Sequence, residues 1–256
     1  MASRFTDRAL TARILPADFA RRMELAREPQ PDDARGPRAL LLLREFAWPY
    51  DALKAKLGTP DIARSARPRM VMLLPGFGAH PVRMRYMARQ LERGGHVVKR
   101  WGRGWNLGAS QECFEVMEAR LVDLHSRCRE PVALVGWSLG GVFARELAKL
   151  HPDKVDKVVT LGSPFSGSPR ANNGWRIYQA VAGHRVDESP VEAEVAQKPP
   201  VETVAYWSAR DGVVHPRSAS GRTDERDRAY PLRCTHMGFV YEREAIEAVA
   251  GELHRG

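Results

Sequence analysis

Cysteine is scarce in this chain. Only Cys113, Cys128 and Cys234 occur, with no Cys-x-x-Cys spacing and one thiol left over in any pairing. That argues against a disulfide scaffold and for idle or buried thiols in a reducing cytoplasm. Long apolar runs are missing too. Crossing a bilayer takes roughly 18 to 20 consecutive apolar residues, and the candidate run Ala39-Leu40-Leu41-Leu42-Leu43 is closed by Arg44 and Glu45. The first residues, Met1 to Arg8, lack the apolar stretch of a secretory signal. Nor are the basic residues gathered into blocks. The formal charge is +9, yet no RNP, zinc-finger or Lys/Arg cluster accompanies it, so nucleic acid is not an expected partner. A solvated, arginine-rich surface is expected instead, with weak peripheral attraction to anionic lipid or acyl groups left open. There is no Gly-Lys-Ser/Thr for a phosphate loop. Gly76-Phe77-Gly78 follows an apolar run, but Ala79-His80-Pro81 brings no third glycine, and Pro81 breaks the helix start that a dinucleotide site needs.

What the chain does have is core. Its 256 residues, 43% hydrophobic, suffice for one catalytic domain with appendages. Residues 1–66 read as a helical extension: helical patterns over Ala17 to Ala26 and Ala39 to Leu57 flank a Pro/Asp/Gly loop from Pro29 to Pro37. Pro49 either ends the second helix or opens a third. No chemistry is legible there, and packing on the outside of the core, homo-oligomer contact or lipid contact is the expectation. From Met70 the rhythm changes. Apolar runs at Met70–Leu74, His96–Trp101, Pro131–Val135, Lys157–Leu161 and Thr203–Trp207, with a further candidate at Arg228–Arg233, lack clean alternation, which suits strands covered on both faces. Helical segments at Val82–Arg93, Gln111–Arg127, Leu139–Leu150 and Glu242–Leu253 fill the gaps. The pattern predicts an α/β fold with a doubly wound, mostly parallel sheet of about six strands over residues 67–256. The gap from Gly162 to Pro200 is too long for a simple crossover, and a lid-like insert at about 165–200 is expected.

One turn concentrates the chemistry. Val135-Gly136-Trp137-Ser138-Leu139-Gly140-Gly141 directly follows an apolar strand and opens a helix. A nucleophilic serine needs a tight strand-to-helix turn to expose its hydroxyl; glycines on either side remove side chains that would clash, and the helix N-terminus lends positive charge to a developing oxyanion. A serine also needs a base, and the base an orienting carboxylate. Asp211, in Ser208-Ala209-Arg210-Asp211-Gly212-Val213-Val214, lies in the turn after a strand, where its side chain reaches the C-terminal rim. Asp187, Asp224 and Asp227 compete less well, since none immediately follows an apolar strand. For the base, His236 in Cys234-Thr235-His236-Met237-Gly238-Phe239 precedes the last helix, where a loop brings imidazole back to the serine. His215 is the competitor, but it shares the turn of the acid. Oxyanion donors are expected from the Leu139 amide and from the Phe77 amide in Pro75-Gly76-Phe77-Gly78. Trp137, Phe165, Trp175 and Tyr178 are candidates to line an acyl or aryl pocket, with lid packing as the alternative for the last three.

These landmarks resemble the α/β-hydrolase superfamily, in particular its compact lipase/esterase-like members. The resemblance runs from about Met70 onward and rests on Leu74-Pro75-Gly76-Phe77-Gly78, on Gly136-Trp137-Ser138-Leu139-Gly140-Gly141, on Ser208-x-x-Asp211-Gly212-Val213-Val214 and on Thr235-His236-x-Gly238-Phe239. Thr160-Leu161-Gly162-Ser163-Pro164-Phe165-Ser166-Gly167 is similar to a Thr-Leu-Gly-Thr-Pro-His-x-Gly segment of lipase-like relatives. The departures are Pro75-Gly76 where many relatives have His-Gly, Phe165 in place of that histidine, and helices in place of an N-terminal β-hairpin. The resemblance implies acyl transfer to water with no metal or cofactor: Ser138 as nucleophile, His236 as base, Asp211 as its orienting acid, and a small-molecule ester or acyl compound as substrate. Thioester, amide or C–C cleavage and acyl transfer use the same groups, and a non-catalytic binding protein on this fold is the remaining alternative.

Overall fold

The structure is a computed structural model, and it describes residues 16–32, 34–55, 60–188 and 194–255. Six parallel strands form its centre: β1 (Met70–Leu74), β2 (Val97–Arg100), β3 (Val132–Trp137), β4 (Val155–Leu161), β5 (Glu202–Ser208) and β6 (Arg228–Leu232). They lie in the order β2-β1-β3-β4-β5-β6. The chain winds outward from β1 in both directions, so the order reverses between β1 and β3, and the crevice above the carboxyl ends of those strands is where such sheets gather ligands.

Both faces of the sheet are covered, which is why its strands read as continuous apolar runs. Along β1 the side chains alternate between two cores. Val71 and Leu73 pack with Met87, Leu91, Ile246, Val249 and Leu253 on one face. Met72 and Leu74 pack with Phe114, Met117, Leu121, Phe143 and Leu147 on the other. The first face is closed by α4 (Arg85–Arg93) and α9 (Arg243–His254), the second by α5 (Gln111–Cys128) and α6 (Leu139–Leu150). The edges are managed differently from the centre. β2 is short and largely exposed, and β6 carries Pro231, which an edge strand tolerates because the lost N–H faces no partner. At the starts of the strands, Lys157 pairs with Glu202 at 2.9 Å, and Arg228 pairs with Glu202 at 2.5 Å and with Glu252 at 2.6 Å. This polar girdle occupies the end of the sheet opposite to the crevice.

Outside the sheet, α1 (Pro16–Ala26), α2 (Ala39–Glu45) and α3 (Trp48–Ala55) come from the N-terminal part. Pro49 stands in the first turn of α3, where its missing N–H costs nothing, so the pattern from Ala39 breaks into two helices at Phe46 and Ala47. Lys56 and Leu57, which the sequence pattern added to that helix, lie outside the described residues. The stretch between β4 and β5 holds α7 (Trp175–Ala182), and α8 (Pro216–Ser220) follows β5. α1 and the residues after it pack on α7 and its flanks: Gln179 Nε2 donates to the Leu25 carbonyl at 2.7 Å, Trp175 Nε1 donates to Gln30 Oε1 at 2.9 Å, and Glu28 pairs with Arg170 and Arg185. Among the described residues no helix is long and apolar enough to cross a membrane.

Candidate active site

Two non-glycine residues among those described adopt positive φ. Arg129, at φ 58° and ψ 19°, is an ordinary left-handed cap after α5. Ser138, at φ 55° and ψ −125°, lies outside that basin and is strained. A conformation of this kind costs about 1–3 kcal/mol and persists only where its surroundings enforce it. Here they do. The Ser138 amide donates to the Leu161 carbonyl of β4 at 2.8 Å, and its carbonyl accepts from the Gly141 amide at 3.0 Å. The turn closes because glycines permit it: a Cβ on Gly136 would stand 2.3 Å from the Gly140 oxygen, and one on Gly140 would stand 2.2 Å from the Leu74 carbonyl oxygen. The hydroxyl is thereby lifted out of the sheet at the start of α6, with the Leu139 amide in the first turn of that helix.

The loop after β1 lies directly against this serine. A Cβ on Gly76 would be 3.0 Å from Ser138 Cβ, so the loop backbone that includes Phe77 runs beside the hydroxyl. Its shape is fixed by Asn106, which sequence reasoning missed. This side chain is fully buried; its Nδ2 donates to the Pro75 carbonyl at 2.8 Å. The Asn106 backbone carbonyl accepts from the Gly78 amide at 2.7 Å, and its amide donates to the Ala79 carbonyl at 3.0 Å. Nothing in its sequence neighbourhood marks an asparagine as the clamp of a loop far earlier in the chain.

Asp211 and His236 come together across β5 and the loop before α9. His236 Nδ1 and Asp211 Oδ2 are 2.7 Å apart, and both side chains are buried. The other Asp211 oxygen accepts from the Val213 and Val214 amides, each at 2.8 Å. Burial pushes the imidazole down, but the Asp211 charge, its hydrogen bond and the charge of Glu45 outweigh that, and the His236 pKa stands above its ordinary value. The ring is held on a second side by Trp137, 5.7 Å between centroids, whose Nε1 donates to the His236 carbonyl at 3.0 Å.

The competing groups are engaged elsewhere. His215 caps α8, its Nδ1 accepting from the Arg217 amide at 3.2 Å. Asp187 pairs with Arg170, Asp224 with Arg222, and Asp227 with Lys198. No group of His, Cys, Asp and Glu among the described residues is arranged to hold a metal ion.

Ser138 and His236 open onto a cavity of about 890 Å³ that also touches Phe77 and Leu139. Trp137, Phe165, Trp175 and Tyr178 all line it, together with Phe114, Met117 and Phe143 from the second core face. Lining and packing are not alternatives for the residues of the insert: Trp175 is also tied to Gln30, and the Tyr178 ring packs on Phe77 at 5.2 Å. Phe165 is held by Arg145 of α6, whose guanidinium lies 4.1 Å from the ring centroid and donates to the carbonyls of Val195, Ala196, Gln197 and Glu225. The N-terminal part, where the sequence showed no chemistry, needs correction: Glu45 of α2 is buried and accepts backbone hydrogen bonds from Gly212, His236 and Met237. A glutamate closing a short apolar run reads from sequence as a helix-end charge, and its partners lie far along the chain.

Comparison with known proteins places the geometry in context. The model of a family described as alpha/beta hydrolase fold matches residues 128–190, the stretch that contains the Ser138 turn. Over 83 residues the chain is 35% identical to a pimeloyl-acyl-carrier-protein methyl ester esterase of Aliivibrio salmonicida, a match covering 32% of this chain and 29% of that relative's length. Among solved structures, a monoacylglycerol lipase of Paleococcus ferrophilus aligns over 75% of this chain and 95% of its own at 16% identity, with a TM-score of 0.52. A soluble variant of monoglyceride lipase from Saccharomyces cerevisiae aligns over 75% of this chain and 88% of its own at 13% identity, with a TM-score of 0.56. Likeness at such identity establishes a common fold.

Proposed function

The chain belongs to the α/β-hydrolase superfamily, and from that premise we propose that it is a serine hydrolase cleaving a carboxylic ester through an acyl-enzyme. The observation that carries this reading is the strained Ser138 at the mouth of a largely apolar cavity that it shares with His236, whose other ring nitrogen is 2.7 Å from Asp211. Ser138 Oγ attacks the ester carbonyl carbon while its proton passes to His236 Nε2. The Phe77 and Leu139 amides hold the tetrahedral oxyanion. Collapse breaks the bond to the alcohol oxygen, which leaves with the proton from His236. Water then gives its proton to His236, attacks the acyl-serine and releases the carboxylic acid, regenerating the hydroxyl. Asp211 fixes the tautomer that presents Nε2 to the serine and stabilises the imidazolium formed twice per turnover.

The size of the cavity falls in the range of roughly 300–1,000 Å³ typical of small-molecule sites, and its aromatic and methionine walls suit an acyl or aryl group. The named activities of the relatives, a methyl ester esterase and two monoacylglycerol-type lipases, support an ester over an amide. Three unpaired thiols are in keeping with a cytoplasmic setting.

The test is turnover of p-nitrophenyl esters from acetate to dodecanoate, with an acyl thioester and an anilide as comparators. Ester hydrolysis exceeding both comparators, and lost in Ser138→Ala, is expected. Preference for the thioester would move the assignment to thioester cleavage, and inertness to all three would move it to a binding protein. Because the base must be neutral and the His236 pKa is raised, kcat/KM is expected to climb with pH through a midpoint above the ordinary histidine value of about 6.5. A plateau already reached at pH 6 would contradict the raised value.

A further inference from the structure

Glu45 is 4% exposed, and among the described residues no Lys, Arg or His forms an ion pair with it. A carboxylate taken out of water without a cation needs donors, and those of Glu45 are three backbone amides from two loops. Oε1 accepts from Gly212 at 2.8 Å and from His236 at 2.8 Å, and Oε2 accepts from Met237 at 2.9 Å. Gly212 follows Asp211, and His236 with Met237 forms the base-bearing turn, so a single side chain staples the acid's turn to the base's turn from behind. α2 has room for nothing else there: a Cβ on Gly212 would lie 2.4 Å from the Leu41 carbonyl oxygen of that helix. A buried charge is a poor device for stability alone, since an apolar replacement of similar volume is often at least as stable.

We propose that Glu45 is a positioning residue of the site, a carboxylate supplied by the N-terminal helices that sets the Asp211–His236 alignment and holds a second negative charge behind the imidazole. The inference rests on the reading of Ser138, Asp211 and His236 given above. The groups around the ring can be enumerated by element. Asp211 faces it from the turn after β5; Glu45, from α2, stands at the backbone amide of the same residue; Trp137 and Phe239 pack on it as uncharged rings. In the adjoining loop stand the buried Cys234 thiol and Glu242, whose Oε1 would be 2.2 Å from a Cβ on Gly238. Arg83, from the short 3-10 turn before α4, reaches Met237 Sδ at 3.4 Å. Of these, Asp211 and Glu45 are the charges that act on the His236 equilibrium, both raising it.

The experiment compares wild type, Glu45→Gln and Glu45→Asp. Glu45→Gln keeps the shape, removes the charge and turns an amide nitrogen toward one of the backbone donors. Its kcat is expected to fall about 10- to 100-fold, the usual scale for groups that orient a reacting side chain, with KM within about twofold. The acidic limb of kcat/KM should move down by about one pH unit, because loss of a nearby anion destabilises the imidazolium. Glu45→Asp, which keeps the charge one methylene farther back, should fall between the two in both kcat and limb position. Titration of the His236 imidazole by NMR reads the same displacement without any turnover. A midpoint unmoved in Glu45→Gln, or a kcat loss with the limb in place, makes Glu45 merely structural and overturns the proposal. If Glu45→Gln does not fold, Glu45→Asp carries the test, and an unmoved midpoint there has the same force. A wild type that hydrolyses no ester while its His236 midpoint still shifts on substitution overturns the esterase reading and leaves the positioning role standing.

Discussion

Ser138 lines the cavity that it shares with His236, Glu45 holds the backbone of that histidine, and the two arrive there by opposite routes. Ser138 stands between β3 and α6, contiguous in sequence, and its conformation is enforced by neighbours within a few positions and by the adjacent strand β4. Glu45 reaches His236 across a separation of 191 positions, from a helix that adds nothing to the sheet. The first kind of constraint is written in a short stretch of residue types. The second exists only once the fold has closed. On the proposed reading, a site assembled from both kinds has a nucleophile preset by local geometry and a base whose orientation and charge depend on a distant segment. Substitutions near the serine should therefore act on whether chemistry occurs at all, and substitutions in the distant segments on how fast and at what pH.

The sharpest break between these regions comes from the histidines. His236→Ala should reduce kcat by about 10⁴- to 10⁶-fold, while His215→Ala, which loses only a helix cap, keeps most of it; the reverse pattern in steady-state turnover would reassign the base. Asp211→Asn follows, with kcat down about 10⁴-fold and a fold unchanged by circular dichroism, because an amide in that place favours the wrong tautomer. Loss of less than tenfold would mean that the orienting group lies elsewhere. Asn106→Ala removes the side-chain hydrogen bond of the clamp on the loop after β1 while leaving its two backbone bonds and the loop's sequence intact. A kcat lower by about 10- to 100-fold with little change in KM is expected, together with a destabilisation of about 1–3 kcal/mol from the unpaired Pro75 carbonyl, read in denaturant melts. The mildest effect belongs to the insert: Trp175→Phe should raise KM a few-fold for long-chain esters and spare acetate. An equal change for all chain lengths would place Trp175 outside the acyl path.

Much of the sheet was legible in advance because burial on both faces leaves uninterrupted apolar runs; β1 matches its expected span, and the others differ by a residue or two at their ends. The Ser138 turn was legible for a related reason, since glycine, an apolar strand and a helix start are local requirements. Asp211 and His236 could be nominated from their turns, but their 2.7 Å approach depends on how β5 and the loop before α9 are placed. Asn106 and Glu45 were invisible. An asparagine clamping a loop and a glutamate receiving three amides have no local signature, because their partners are backbone groups, which every residue has. The break between α2 and α3 was ambiguous for a different reason: proline ends one helix as readily as it begins the next.

The central claim is that Ser138 is the nucleophile, and covalent labelling tests it most directly. Wild-type protein treated with a fluorophosphonate should gain one adduct per chain, mapped by peptide mass spectrometry to the segment containing Ser138, and Ser138→Ala should gain none. An adduct that persists in Ser138→Ala, or that maps to another residue in the wild type, would contradict the account.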